Sequence, residues 1–161
     1  MGKLAISLFA SLLMAGAAAA QPACPAPPAG WGMNAELKAA TASPELELAR
    51  LMPGQAATVT LHPGNDVRFT IAPEKPGATG SYGGMLAVDV REAGTYQVAL
   101  SAGAWLDMVQ DGAAVASAAH DHGAECAGLR KMVSFPLKPG RHVIQISGNK
   151  EATIRVLVSR K

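Results

Sequence analysis

One short stretch of the chain concentrates side chains that bind metals. His120, Asp121 and His122 are followed closely by Glu125 and Cys126. In an extended backbone, residues two apart point to the same face, so His120 and His122 could place two imidazoles on one ion. Imidazole suits zinc, copper or iron, and Asp121, Glu125 or Cys126 could supply a third ligand. The stretch is a candidate metal site, and a solvated loop with a bridged Cys126 is the alternative.

The two cysteines of the chain, Cys24 and Cys126, bear on that choice. An even pair in an exported protein predicts a disulfide. A bond closing a loop of about 100 residues stabilises by roughly 4–5 kcal/mol in the chain-entropy model. It would also remove Cys126 from any metal site. Lipid attachment at Cys24 is disfavoured because Gln21 to Ala23 provide no apolar residue three positions upstream.

Aromatic and acidic side chains form a second group of candidates. Trp105 and Asp107 alternate along one run and should share a strand face. The indole N–H can bond the carboxylate, and we expect Trp105 to lie in the core rather than on a ligand. Tyr82 lies in the glycine-containing stretch Ser81–Gly84, which could border a pocket. Tyr82, Trp105 and Asp107 are therefore candidates for ligand-binding loops.

Several other kinds of site lack a signal in the sequence. There is no Gly-x-Ser-x-Gly nucleophile motif, no P-loop and no Gly-x-Gly-x-x-Gly. The 14 basic and 12 acidic residues are scattered, which argues against nucleic-acid binding. His62 and His142 each adjoin turn residues, so solvent-facing positions explain both.

The N-terminus is typical of an export signal. Lys3 precedes an apolar stretch, and Ala18 to Ala20 offer small residues for cleavage before Gln21. The apolar stretch is shorter than the roughly 20 residues that a spanning helix needs. We predict a signal peptide at 1–20, a Pro/Ala-rich tail and linker at 21–44, and a domain at 45–161. The mature chain would be periplasmic or secreted, without a membrane span.

Beyond Pro53, short alternating runs are separated by turn pairs such as Pro63-Gly64 and Asp111-Gly112. With 17 Gly, 11 Pro and 4% aromatic residues, this pattern favours an all-β domain. No run is long enough for parallel crossovers, which predicts an antiparallel two-sheet sandwich of about eight or nine strands. A turn of helix could occupy residues 31–42. The predicted strands lie near residues 57–61, 67–71, 85–90, 96–100, 104–110, 113–118, 132–137, 143–146 and 154–158.

Two family resemblances follow from these motifs. The run Ala93 to Leu100, with Trp105-Leu106-Asp107 and Asp111-Gly112, resembles the bacterial pre-peptidase C-terminal domain. That resemblance covers about half of the mature chain and implies a jelly-roll sandwich.

The second resemblance spans most of the chain after Pro53. Four pieces are similar to a family of short exported proteins of Gram-negative bacteria that often carry the name homogentisate 1,2-dioxygenase. That name implies iron-dependent ring cleavage, with two histidines and a carboxylate as ligands. No catalytic residue is carried over, because the dioxygenase of that name is a much larger cytosolic protein. The four pieces are Leu61-His62-Pro63, Ser81-Tyr82-Gly83-Gly84, Gly103 to Asp107, and Ala119-His120 through Cys126 to Arg130-Lys131-Met132.

The sequence therefore favours an exported β-sandwich that acts as a binding or accessory module, with an unknown ligand or protein partner. Its ligand would lie near Tyr82, Trp105 and the segment from His120 to Cys126. The alternative is a metal-binding protein or metal-dependent enzyme that uses His120 and His122, including the dioxygenase.

Overall fold

A computed structural model describes residues 23–161. The predicted signal peptide at 1–20 and the first two residues of the predicted tail lie outside this range. Within it, no helix has the length and apolar character that a bilayer crossing requires.

Eleven strands of the described chain form two facing sheets, and this confirms the prediction of an all-β sandwich. One sheet has the order β1-β2-β11-β5-β9-β8 and the other β3-β4-β10-β6-β7. All neighbours pair antiparallel except β1 and β2. Three short 3₁₀ turns lie at Ser43–Glu45, Gly64–Asp66 and Glu125–Ala127. The strands are β1 Ala35–Lys38, β2 Ala57–Thr60, β3 His62–Pro63, β4 Tyr82–Val90, β5 Gly94–Leu100, β6 Trp105–Gln110, β7 Ala113–Val115, β8 Ala119–His122, β9 Lys131–Leu137, β10 Gly140–Asn149 and β11 Thr153–Arg160.

The core lies between the sheets and is built from alternate residues of each long strand. Along β5 and β9, Val98 and Leu100 face the same layer as Val133 and Phe135. The opposing sheet contributes similar pairs from β4, β6 and β10, all of them buried. These are Leu86 and Val88, Leu106 and Met108, and Ile144 and Ile146. Period-two alternation therefore sets which face of each sheet is buried.

The N-terminal segment departs from the expected tail and helix turn. Residues 35–38 form β1, which pairs parallel with β2 and places Leu37 opposite Val59. Trp31 is buried, and its indole N–H donates to the carbonyl of Ala127 at 3.0 Å. The helical turn is therefore wrong for this segment, because edge pairing and one distant hydrogen bond outweigh its weak local helix preference.

The alternation from Val67 to Ile71 predicts a strand, and that prediction is wrong. After the turn Gly64–Asp66 the chain is irregular and crosses the outer face of the five-stranded sheet. There the Gln145 side chain binds both backbone groups of Ile71, accepting from its N–H and donating to its carbonyl at 3.1 Å each. A side-chain amide thus replaces the strand partner that the run would otherwise need.

Candidate functional site

The segment carrying His120 and His122 is a strand, not the loosened loop that the sequence suggested. β8 is an exposed edge strand of the six-stranded sheet. In its pairing with β9, His120 lies opposite Val133 and His122 opposite Lys131. Directly opposed residues of an antiparallel pair point to the same side. Since Val133 faces the core, both imidazoles lie on the side of the sheet that faces β6 and β7.

Among the residues that it describes, the structure does not place a third metal ligand beside His120 and His122. Cys126 is bonded to Cys24, so the predicted disulfide is confirmed and no thiolate is free to bind an ion. Asp121 lies opposite Met132 and therefore points away from the side shared by the imidazoles. Within residues 23–161, no group of three or more His, Cys, Asp or Glu side chains is arranged to hold a metal. Metal binding by His120 and His122 stays a prediction.

His120 also contacts a possible nucleophile. The Ser117 hydroxyl lies 2.7 Å from Nε2 of His120, within hydrogen-bond reach. Both residues are exposed, and in the described part of the chain no carboxylate binds the other ring nitrogen of His120. The pair therefore lacks the orienting group and the enclosure that serve nucleophilic catalysis.

Trp105 begins β6 and is partly exposed, so its expected place in the core is wrong. Its neighbours Leu106 and Met108 occupy the core because they face the other sheet. The predicted bond within the strand face is confirmed, since the indole N–H of Trp105 donates to Oδ1 of Asp107 at 2.9 Å. The other carboxylate oxygen of Asp107 is buried and has no hydrogen-bond partner in the protein.

Two lysines, neither singled out from the sequence as a binding residue, converge on Trp105. The Nζ atoms of Lys75 and Lys131 lie 4.3 Å and 5.0 Å from the centroid of its ring. Lys131 Nζ also donates to the carbonyl of Ala104 at 2.9 Å. Burial, followed by the charge of Lys75, lowers the pKa of Lys131, while Asp107 opposes the shift. The result is a compact group that we name the lysine–tryptophan site: Lys75, Trp105, Asp107 and Lys131.

Two cavities adjoin this site and share His120 as a lining residue. The first, of about 380 Å³, lies between β6, β7 and the start of β8. The second, of about 420 Å³, lies beside the connection from β8 to β9 and is lined by Lys131 and Arg130. Tyr82 lines neither cavity, because it starts β4, two strands away from β6 in the sheet. Of the predicted candidates, the structure brings Trp105, Asp107, His120 and His122 to these cavities. Lining the first cavity are Glu74, Trp105, Leu106, Asp107, Met108, Ala114, Val115, Ala116, Ser117, His120 and Phe135.

The position of Lys75 depends on polar side chains that lie on the outer face of β10. Gln145 holds Ile71, as described above, and the buried Ser147 hydroxyl donates to the carbonyl of Lys75 at 2.7 Å. Gly77 then passes so close to β10 that a Cβ there would lie 2.4 Å from the Cα of Gly148. The visible sequence signal is Gln145, a polar residue within an apolar strand, although it does not indicate its partner.

The disulfide and two hydrogen bonds fasten the N-terminal segment beside the second cavity. Cys24 and Cys126 are exposed, and their Cα atoms are 5.9 Å apart. Trp31 binds Ala127, and the guanidinium of Arg155 donates to the carbonyl of Trp31 at 2.9 Å. The connection from β8 to β9 is thereby anchored immediately before Lys131.

The two remaining histidines are not both solvent-facing, as the sequence suggested. His142 is completely buried, its Nδ1 lies 3.2 Å from the carbonyl of Gly140, and its Nε2 has no partner. Burial lowers the pKa of His142, while the Gly140 carbonyl and Asp111 oppose the shift. His62 is half-buried, with Nε2 2.9 Å from the carbonyl of Ala39. The expectation failed for His142 because its place in the alternation of β10 faces the core.

The sequence matches no protein-family model and no curated protein. Both family resemblances, to the pre-peptidase C-terminal domain and to the exported proteins named as dioxygenases, therefore stay predictions.

Proposed function

We propose that this chain is an exported binding or accessory module whose ligand occupies the cavities beside Trp105. The observation that carries the proposal is the convergence of two lysine ammonium groups and a carboxylate on one partly exposed indole. Ligand sites commonly combine apolar walls with a few convergent polar groups, in volumes of about 300–1,000 Å³. Export to the periplasm or medium rests on the signal-like composition of residues 1–20.

The position of this site fits a module whose sandwich is a scaffold. The long central strands bury alternate side chains between the sheets, whereas Trp105 is the first residue of β6 and His120 lies on the exposed strand β8. Binding residues on such edges can vary without disturbing the core. The lining residues would then set ligand choice, while the sandwich sets stability.

The test is ligand binding followed by NMR at the indole N–H of Trp105, with glucose, benzamide, benzoate and phenyl phosphate as probes. We expect at least one probe to shift this signal. Calorimetry, which does not depend on the indole, should show that Trp105→Ala binds the same probe about tenfold or more weakly. Tyr82→Phe is the matched control, since Tyr82 lines neither cavity. The proposal fails if no probe binds, or if Trp105→Ala leaves the affinity unchanged.

Metal binding is the second candidate, and one observation favours it. His120 and His122 lie on the same side of an exposed strand, as a two-histidine site requires. Metal analysis of untagged protein tests this candidate. Stoichiometric zinc, copper or iron that is lost in His120→Ala would favour it over the first proposal. Iron-dependent cleavage of homogentisate that is lost in the same variant would support the dioxygenase, and complete inactivity would remove it.

Fractionation of cells that express the full chain tests export. We expect the protein in the periplasm or medium, with a mature N-terminus near Gln21. Retention of the entire protein in the cytosol would contradict this part of the proposal.

A further inference from the structure

The charges of the lysine–tryptophan site are not balanced within the protein. Every ion pair of the described residues involves an arginine, so neither Lys75 nor Lys131 has a carboxylate within ion-pair distance. Asp107 acts electrostatically on Lys131, but its Oδ1 accepts from the Trp105 indole and its Oδ2 has no partner. Two ammonium groups are thus held over one ring without a bonded counter-ion.

This arrangement carries an electrostatic cost. Like charges repel, and the repulsion grows where burial lowers the local dielectric. The face of an indole attracts a cation by about 0.5–1 kcal/mol at an exposed site, which offsets only part of that repulsion. The lowered pKa of Lys131 has the same two causes, burial and Lys75. A bound anion between the two nitrogens would remove the repulsion and supply the missing acceptor.

The size and lining of the first cavity limit the anion to a small organic molecule. Its volume is about 380 Å³, and its apolar lining includes Ala114, Val115 and Ala116 beside the Trp105 ring. The charged residues of this lining are Glu74 and Asp107, and neither lysine belongs to it. A ligand here therefore needs an apolar part for these walls and an anionic end that reaches past them to Lys75 and Lys131 beside the Trp105 ring. The second cavity places Arg130 with Lys131, and its lining also includes the carboxylates of Asp121 and Glu125, of which Glu125 lies 3.9 Å from Arg130.

We propose that the ligand at Trp105 is a small organic anion whose carboxylate or phosphate group is bound by Lys75 and Lys131. This inference rests on the proposed binding function and names the chemical class of its ligand. The apolar part of the molecule would lie along the first cavity, toward β7.

Benzoate and its neutral analogue benzamide test the charge requirement, and phenyl phosphate tests the choice of oxyanion. Affinities are measured by NMR or calorimetry on the folded protein at low ionic strength. We expect benzoate or phenyl phosphate to bind about tenfold or more tightly than benzamide, because only the anions engage the lysines. The tighter of the two identifies the preferred oxyanion. Raising the salt from about 20 to about 300 mM should weaken the anions and leave benzamide unchanged.

Charge-removing variants locate the effect. Lys131→Gln and Lys75→Gln should each weaken the anion by about fivefold or more and reduce the preference for the anion over benzamide. Lys138→Gln is the matched control, because Lys138 is exposed and follows the opposite end of β9. Lys75 lies in an irregular segment, so Lys75→Gln decides the matter if Lys131→Gln does not fold.

The possible failures are distinguishable. Equal affinity for benzoate and benzamide, with both lost in Trp105→Ala, would overturn the anion inference and leave the binding function in place. Anion binding that is unchanged in both lysine variants would also overturn the inference. Absence of binding by every probe would overturn both proposals.

Discussion

Two charged regions of this protein differ in whether their positive side chains form ion pairs. On the edge and outer face of the five-stranded sheet, Arg50 and Arg141 alternate with Glu47 and Asp89. Arg50 binds both acids, with Glu47 at 3.2 Å, and Arg141 binds them too, with Asp89 at 3.3 Å. The four residues, which we name the arginine cluster, form a closed set in which each charge has two opposite neighbours.

The lysine–tryptophan site has the reverse arrangement. Lys75 and Lys131 share one indole, and neither forms an ion pair within the described chain. In the arginine cluster, Arg141 lowers the pKa of Glu47, which holds that carboxylate in its charged form. At Lys131, by contrast, burial and Lys75 shift the pKa toward the neutral form. Self-neutralised charges connect segments of the fold, whereas the unbalanced pair beside a cavity is the basis of the proposed ligand site.

The largest expected effect comes from the disulfide, which adjoins only one of the two regions. Replacing Cys24 and Cys126 together by Ser should lower the free energy of unfolding by about 2–4 kcal/mol, because it frees a long loop in the unfolded chain. It should also weaken benzoate binding several-fold, since the connection leading into Lys131 loses its anchor. Urea denaturation and calorimetry measure the two effects.

The arginine cluster provides the control for that change. The pKa of Glu47 should remain low in the double Ser variant, because Arg141 and Asp89 are positioned by the pairing of β10 with β4. If this pKa rises, and the rise expressed as a free energy matches the loss of benzoate binding energy, the two regions are not independent. Wild-type protein reduced with dithiothreitol should reproduce the variant.

A smaller effect is the pH dependence of stability that arises from His142, the buried residue next to Arg141 of the arginine cluster. Burial lowers the pKa of His142 in the fold, so the unfolded chain binds more protons below its own value of about 6.5. The free energy of unfolding should therefore fall as pH drops below about 6.5, by at most about 1.4 kcal/mol per pH unit, and level off below the folded-state pKa. His142→Gln should flatten this slope in urea denaturations between about pH 7 and pH 5.

Glu47 changes the free energy of unfolding in the same direction as His142, but in a more acidic window. Its pKa is lowered in the fold, so its contribution is fully present above the unfolded value and is lost as pH falls through the folded value. That loss lies on the acid side of the window assigned to His142. His122→Gln, on the exposed strand β8, serves as the matched control for His142→Gln. An acid slope that persists in His142→Gln would assign the effect to other groups.

The sequence allowed the sandwich and the disulfide to be predicted for clear physical reasons. Alternation such as Tyr96, Val98 and Leu100 is local, and a chain with two cysteines offers a single intramolecular pairing. The run from Val67 to Ile71 carries the same alternation and still forms no strand. Its backbone partner is a side chain, Gln145, that lies far away in the sequence.

The candidate site was predictable only in part. Trp105, Asp107 and the two histidines are conspicuous residue types at suggestive spacings, and the structure brings them to adjoining cavities. Lys75 could not be anticipated, because its place depends on a hydrogen bond from Ser147 to its carbonyl. The balance between attraction and repulsion at Trp105 is a property of the folded surface and has no counterpart in local sequence.

The smallest expected effect is also the most direct comparison of the two regions. Arg141→Met removes two ion pairs and should lower the melting temperature of ligand-free protein by about 1–3 °C. Lys131→Met removes a hydrogen bond to Ala104 but also a desolvated charge that Lys75 repels, so the melting temperature should stay level or rise by about 1–2 °C. Salt at about 0.5 M should shrink both differences, since both are electrostatic. If Lys131→Met destabilises the protein as much as Arg141→Met, Lys131 stabilises the fold and the contrast between the two regions is lost.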